Sequence, residues 1–240
     1  MSSTHLVIGG TTGVGRALSE RLSENNAVHV MARSEDKLDA LKTDLGAQTT
    51  AVNAMDADAL AAAVETAAGD ALDGLAYCVG SIDLKPLRRT APEDFVNAYR
   101  LNVVGAAAAI RAAAPALKKA NGSVVLFSTV AAGQGFQNHS VIAAAKGGVE
   151  ALARSLAAEL APQIRVNCIA LSLTKTPLAA PVIGNEAMEK ALGEAHPLRR
   201  LGAPADAAAM AAFLMSPEAG WISGQIFNVD GGRSTLRPKG

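Results

Sequence analysis

Seven short stretches of the chain, HLVIG, AVHVMA, TTAVNA, GLAYCV, SVVLFS, IRVNCIAL and QIFNV, are apolar almost throughout and alternate with segments of helical spacing. A strand with one wet face would alternate apolar and polar residues, so near-continuous runs require a sheet covered on both sides. Parallel strands cannot be joined by tight hairpins, and a helix packed across the sheet is the ordinary connection. The rhythm therefore predicts an α/β fold over residues 1–240: one domain with a doubly wound, seven-stranded parallel sheet and helices on both faces. Asn25 is expected to close the first helix, Ser34 to cap one that begins at Glu35, and Pro92 with Glu93 and Asp94 to open a long one. From about 173 to 200 the regularity fails: Pro177, Pro181, Pro197 and a break at Gly184 follow a strand's carboxyl end, and this stretch reads as a substrate lid.

With 50% of 240 residues hydrophobic and 18% charged, the chain has apolar matter for a large core. Basic and acidic residues balance at 22 each, so no net field draws it to nucleic acid or an anionic membrane, and Arg88-Arg89 and Arg199-Arg200 read as solvated surface. Cys78 and Cys168 sit in apolar runs as small buried hydrophobes rather than disulfide partners or metal ligands, which fits a reducing cytoplasm. MSST leads straight into HLVIGG without the basic and long apolar stretches of an export signal. The alanine-rich stretch after Asn102 is broken by Arg111 and Pro115, short of the roughly 20 apolar residues that a bilayer requires. A cytoplasmic protein with a small-molecule substrate and no metal is expected.

The first run opens into GGTTGVGRALSERL, placing Gly9, Gly13 and Gly15 at a strand-to-helix turn. Such a turn must be tight and must let the backbone approach a pyrophosphate, while the helix start offers unpaired N–H groups and the positive end of its dipole. Dinucleotide binding is the expectation; a ligand-free tight turn is the alternative. At the end of the second run a carboxylate would bind a free ribose 2′-hydroxyl, whereas Arg33 and Ser34 offer what a 2′-phosphate needs. NADP is thereby favoured over NAD, the alternative being that Arg33 is a plain surface charge.

From His5 to Gly232 the order of motifs resembles the short-chain dehydrogenase/reductase family. The family's opening T-G-x-x-x-G-x-G is similar to IGGTTGVG, with Ile8 for threonine, and HPLRRLGAPADAAAMAAFLMSPEAGWISGQIFNVDGG is very close to its C-terminal pattern. The resemblance implies a single Rossmann domain, a nicotinamide cofactor, hydride transfer, and a homotetramer or dimer. It assigns the cofactor to Gly9, Thr11, Thr12, Gly13, Val14 and Gly15 in the first turn, with Arg33 and Ser34 after the second strand. Further contacts are implied at Asn53 and Ala54, at Cys78, Val79 and Gly80 where the family has N-A-G, at Lys146, and at Leu171, Thr174 and Thr176. Leu171 and Ser172 replace a Pro-Gly pair.

The family's catalytic asparagine corresponds to Asn102 in RLNVVGA, and its catalytic serine to Thr129 with Ser128 beside it. Its Tyr-x-x-x-Lys pair corresponds to Ile142 and Lys146. Four residues apart on a helix, these side chains share a face and should look into the cofactor cleft, yet an alkyl chain has no proton to give. Lys146 is expected to grip the cofactor's ribose, an exposed helix lysine being the alternative. Tyr77 is expected near the adenine or its ribose and Tyr99 in a core or an interface, so neither replaces the phenol. His139 in QNHSVIAAAK is the expected substitute donor, an ordinary loop residue otherwise, whereas His5, His29 and His196 are placed elsewhere. For the lid, Leu173, Pro177, Leu178, Pro181, Val182 and Ile183 are expected as apolar walls with Lys175 as the one charged anchor. Two functions follow: an NADP-dependent oxidoreductase with an atypical proton donor, or a catalytically silent NADP-binding protein with a structural or redox-sensing role.

Overall fold

The computed structural model describes residues 3–237; Met1 and Ser2, and residues 238–240, which the expected domain includes, lie outside them. Seven strands, β1 (Thr4–Ile8), β2 (Ala27–Ala32), β3 (Gln48–Ala51), β4 (Gly74–Tyr77), β5 (Ser123–Thr129), β6 (Arg165–Leu171) and β7 (Ile226–Val229), form one sheet in the order β3-β2-β1-β4-β5-β6-β7. Every neighbouring pair is parallel, as the apolar runs require.

Side chains of successive strand residues leave the sheet on opposite sides. Leu6 and Ile8 of β1 enter one core with Leu75 and Leu126; Val7 between them enters the other with Val30, Val125 and Ile169. The first core is closed by α3 (Ala57–Ala68), α5 (Gly105–Ala120) and α6 (Ser140–Leu160), through Leu60, Ile110, Leu117 and Val149. The second is closed by α1 (Gly13–Ser23), α2 (Glu35–Leu45) and α9 (Pro204–Met215), through Leu18, Leu38 and Leu214. The two edge strands depart from the apolar expectation: β3 reads QTTA and β7 IFNV, and neither contains a fully buried residue. An edge strand has only one neighbour and needs less cover.

The expected helix starts are found, with differences in their caps. Ser34 stands at the N-cap of α2 but makes no side-chain capping bond, and α1 ends at Ser23, so that Asn26 rather than Asn25 turns its side chain back, donating to the Leu22 carbonyl at 3.1 Å. Pro92 opens α4 (Pro92–Tyr99), whose Asp94 carboxylate accepts from the Ala91 N–H at 2.9 Å. Between α4 and α5 the helix widens into one π turn at Arg100–Val104 around Asn102. The lid contains α7 (Ala180–Ile183) and α8 (Glu186–Glu194). No helix of the described residues is long and apolar enough to cross a membrane.

Tyr77 departs from its expected place near the nucleotide. It is 2% exposed in the first core, and its hydroxyl donates to the Leu101 carbonyl at 2.7 Å, satisfying an acceptor in the widened turn. Burial pushes its pKa up, so the phenol stays neutral. Tyr77→Phe should therefore leave a buried carbonyl unpaired and cost about 1–3 kcal/mol in urea denaturation, with nucleotide affinity unchanged.

Candidate active site

The sheet order reverses between β1 and β4, and in an open parallel sheet that reversal leaves a crevice beyond the strands' carboxyl ends. A cleft of about 900 Å³ occupies this place, at the upper end of the usual range for small-molecule and cofactor sites. Its floor is the β1–α1 turn, where Gly9 has φ +83° and Gly13 φ +56°. A Cβ on Gly15 would lie 2.3 Å from the Gly9 carbonyl oxygen, so only glycine lets the helix start this close to the strand. Thr12 caps α1 without a side-chain bond. The first-turn amides of Gly13, Val14 and Gly15 are thus left to face the cleft, which Gly9, Thr11 and Thr12 also line. Arg33 and Ser34 line it beyond β2, joined by Lys37 in the first turn of α2, a residue not among those expected from the sequence. Asn53, Ala54, Val79 and Gly80 complete this half.

At the centre, Ile142 and Lys146 lie one turn apart on α6 and both line the cleft, 5% and 8% exposed. The Lys146 ammonium donates to the Phe127 carbonyl at 2.8 Å, and burial lowers its pKa to about 8. Burial also pushes the neighbouring thiols of Cys78, on the cleft wall, and Cys168, in the core, up to about 12. Asn102 lies one layer back: its amide donates to the Ala98 carbonyl at 2.8 Å, and its buried Oδ1 has no partner. A Cβ on Gly80 would be 3.2 Å from both that Oδ1 and Lys146 Nζ, so acceptor and donor converge behind one glycine. Ser128 and Thr129 both line the cleft but differ in use. The Ser128 hydroxyl donates to Glu150 Oε1 at 2.8 Å, tying β5 to α6, whereas Thr129 Oγ1 accepts from the Ala131 N–H at 3.3 Å and keeps its own proton to donate.

The other end is framed by the loop before α6 and by the lid. His139 is half-buried on the cleft rim, its Nδ1 2.6 Å from the Gln137 carbonyl and its ring 5.5 Å from that of Phe136. His5 and His29 lie on strands away from the cleft, His29 against Thr50 Oγ1 at 2.8 Å. His196, expected elsewhere with them, instead lines the cleft and is 5% exposed. Its Nδ1 is 2.8 Å from the Leu192 carbonyl, which can only accept, so that nitrogen carries the proton. Its Nε2 lies 2.8 Å from Ser172 Oγ, within hydrogen-bond reach. Ser172 and His196 are 24 residues apart, and only the path of the lid brings them together.

Leu171 and Thr174 line the cleft, and Thr176 lies against Gly13. The apolar lid wall is Leu173, Leu178, Ala179, Val182 and Leu192. Ile183 turns instead into a small core with Ala179 and Leu201, and Pro177 and Pro181 do not reach the cleft. Lys175 is no anchor for a ligand either, because it pairs with Glu189 on α8. The cation that does line this end is Arg233, beyond β7, which the sequence analysis passed over.

A family model described as "Enoyl-(Acyl carrier protein) reductase" matches residues 9–234. A tropinone reductase homolog of Arabidopsis thaliana is 33% identical over 240 residues, spanning 95% of this chain and 91% of its own length. An oxidoreductase of Sarocladium schorii is 32% identical over 241 residues, spanning 97% and 96%. Among solved structures, a short-chain type dehydrogenase/reductase from Mycobacterium ulcerans superposes with a TM-score of 0.91 at 28% identity, covering 99% of this chain and 92% of that one. An actinorhodin polyketide ketoreductase determined with NADPH reaches 0.91 at 25% identity, with 98% of each chain covered.

The lowered pKa of Lys146 gives a test of its burial. Between about pH 8 and the ordinary lysine value of 10.5 the unfolded chain binds more protons than the folded one, so stability rises with pH across that window. The cost of burying the charge is present in full below pH 8. Lys146→Met should therefore be more stable than the parent at pH 7, by at most about 3 kcal/mol, in urea denaturation, with the difference shrinking as pH rises through the window.

Proposed function

The chain belongs to the short-chain dehydrogenase/reductase family, and on that premise we propose that it is an NADP-dependent oxidoreductase acting on a small, fairly apolar carbonyl-like or conjugated substrate with an atypical proton donor. The observation that carries this reading is the continuity of the cleft, from the open amides of α1, past Arg33 and Lys37, to the Lys146 ammonium and on to the lid. These features fit a dinucleotide. The glycine turn accepts a pyrophosphate, Arg33, Ser34 and Lys37 offer three donors to a 2′-phosphate, and Asn53 and Ala54 lie where an adenine would rest. A nicotinamide held there would supply the hydride exchange with a substrate carbon.

The chain's own residues do the rest. Lys146, already oriented by the Phe127 carbonyl, holds the nicotinamide ribose, and Asn102 supports that position from behind Gly80. Thr129 presents its hydroxyl to the substrate oxygen, the role that Ser128 cannot fill while it is bonded to Glu150. Ile142 supplies apolar wall where the family resemblance places the proton-donating phenol, so the proton comes from an imidazole of the lid end. His139 on the rim is the direct donor, and the Ser172–His196 pair is a second route inward. Val96, Tyr99 and Val104 are exposed along one stretch of helix and form the contact face of a homo-oligomer.

A second reading is favoured by the hydrocarbon at 142 together with the engaged Ser128: a silent protein in which bound NADP stabilises the assembly or reports redox state. Tight NADPH binding without NADPH consumption across ketones, quinones, imines and enones would establish it over the first.

Two outcomes are expected of the enzyme reading. Arg33→Ala combined with Lys37→Ala should weaken NADPH binding by about 10- to 100-fold in calorimetry and leave NADH binding unchanged; an equal loss for both would remove the 2′-phosphate assignment. Ile142→Tyr should gain simple ketone reduction by at least about 100-fold, the lower end of what a positioned acid supplies. His139→Ala should slow the parent but not that variant. Unchanged ketone turnover in Ile142→Tyr, with NADPH still bound, would count against the arrangement.

A further inference from the structure

Among the described residues the cleft is lined by Arg33, Lys37, Lys146 and Arg233 and by no aspartate or glutamate. Three of these cations already have a use in the reading above, on which the present argument rests: Arg33 and Lys37 at the 2′-phosphate, and Lys146 at the ribose. Arg233 has none. It is half-buried at the lid end, its guanidinium 5.8 Å from the centre of the Phe136 ring and donating to the Ala195 carbonyl. Arg16, Arg199 and Arg200 each meet a carboxylate within 3.3 Å, whereas Arg233 meets none among the described residues. Arg165, equally half-buried and without a carboxylate, is satisfied by the carbonyls of Leu214, Ser216 and Ile222, whereas Arg233 donates to one carbonyl and, among the described residues, leaves its other donors for an anion.

The surrounding structure holds this group in place. Asp230, the nearest carboxylate in sequence, is spent on the turn itself, its Oδ1 accepting from Gly232 N–H at 2.9 Å and its Oδ2 from Ser234 N–H at 2.8 Å. Asn228 donates to Ser234 Oγ at 2.9 Å, and Gln134, from the loop after β5, donates to the Ser234 carbonyl. The turn beyond β7 is thus pinned to the sheet and to the loop that carries Phe136 and His139. The guanidinium's neighbours are the Phe136 ring and the Ala195 carbonyl, and this end of the cleft, which Leu192, His139 and His196 also line, holds no carboxylate. One uncompensated charge in such surroundings matches one negative charge, and the planar fork of arginine matches a carboxylate, whereas a dianion would leave a charge unpaired.

We infer that Arg233 anchors a substrate carboxylate, so that the preferred substrates are small monoanionic acids whose apolar chain carries the reacting carbonyl or double bond. Hexanoate and hexanamide, which share a chain and differ in charge, are suitable probes, titrated by NMR into the protein with and without NADPH. Hexanoate should bind the NADPH-loaded protein about tenfold more tightly than hexanamide, the effect of one charge-assisted contact in a partly wet site. The preference should vanish in Arg233→Leu and Arg233→Gln and persist in Arg233→Lys, with NADPH affinity unchanged in all three. Equal binding of the two probes by the unaltered protein would overturn the inference without any variant being needed. So would loss of NADPH affinity in Arg233→Gln, which would assign the guanidinium to the dinucleotide. Failure of the unaltered protein to bind NADPH would instead remove the reading under Proposed function, and the probe comparison on the protein alone would still decide for or against the anchor.

Discussion

The architecture depends on one constraint: parallel strands that are apolar on both sides must be covered on both sides. Every connection is then a crossover, and all seven strands end at the same edge. The turns that leave that edge carry polar groups inward. The β1–α1 turn brings amides, the end of β2 brings Arg33 and Lys37, and the stretch after β6 brings Ser172 and the lid. The cleft is a by-product of covering the sheet, and its chemistry is set by what each turn happens to hold.

That chemistry is one-sided. A chain with as many acidic as basic residues keeps its carboxylates out of the cleft lining and uses several of them to fasten positions elsewhere. Glu150 holds Ser128, Asp94 and Asp206 accept from amides at helix starts, and Asp230 closes the turn beyond β7. Neutral overall charge therefore says little about local field. The cleft presents cations and dipole-bearing amides to whatever enters, with a largely apolar lining between them.

What could be read in the sequence is what depends on neighbours in the chain. The glycine turn is local, since strand, turn and helix follow one another and the spacing of Gly9, Gly13 and Gly15 already encodes close approach. The sheet, its cover and the pairing of Ile142 with Lys146 on one helix face follow from periodicity in the same way. Tyr77 was misplaced because the side of the sheet it faces is set by the phase of β4 relative to α5, which an apolar run does not reveal. His196 was misplaced because its partner Ser172 comes from a different segment, joined only through the folded lid. Lys37 had a usable signal in its position one turn after Arg33. Arg233 had none, because nothing in GGRS tells which way the turn points.

The widened turn at Arg100–Val104 has a geometric consequence for the long helix on either side of it. One additional residue in a turn rotates everything downstream by about 100° relative to an unbroken helix. The face that α4 shows to water, with Val96 and Tyr99, is thereby uncoupled from the face that α5 sends into the core through Ile110 and Leu117. A single extended amphipathic stripe could not serve both. The bulge acts as a phase shifter, letting one continuous rod belong to the interior along half its length and remain available to an outside surface along the other half.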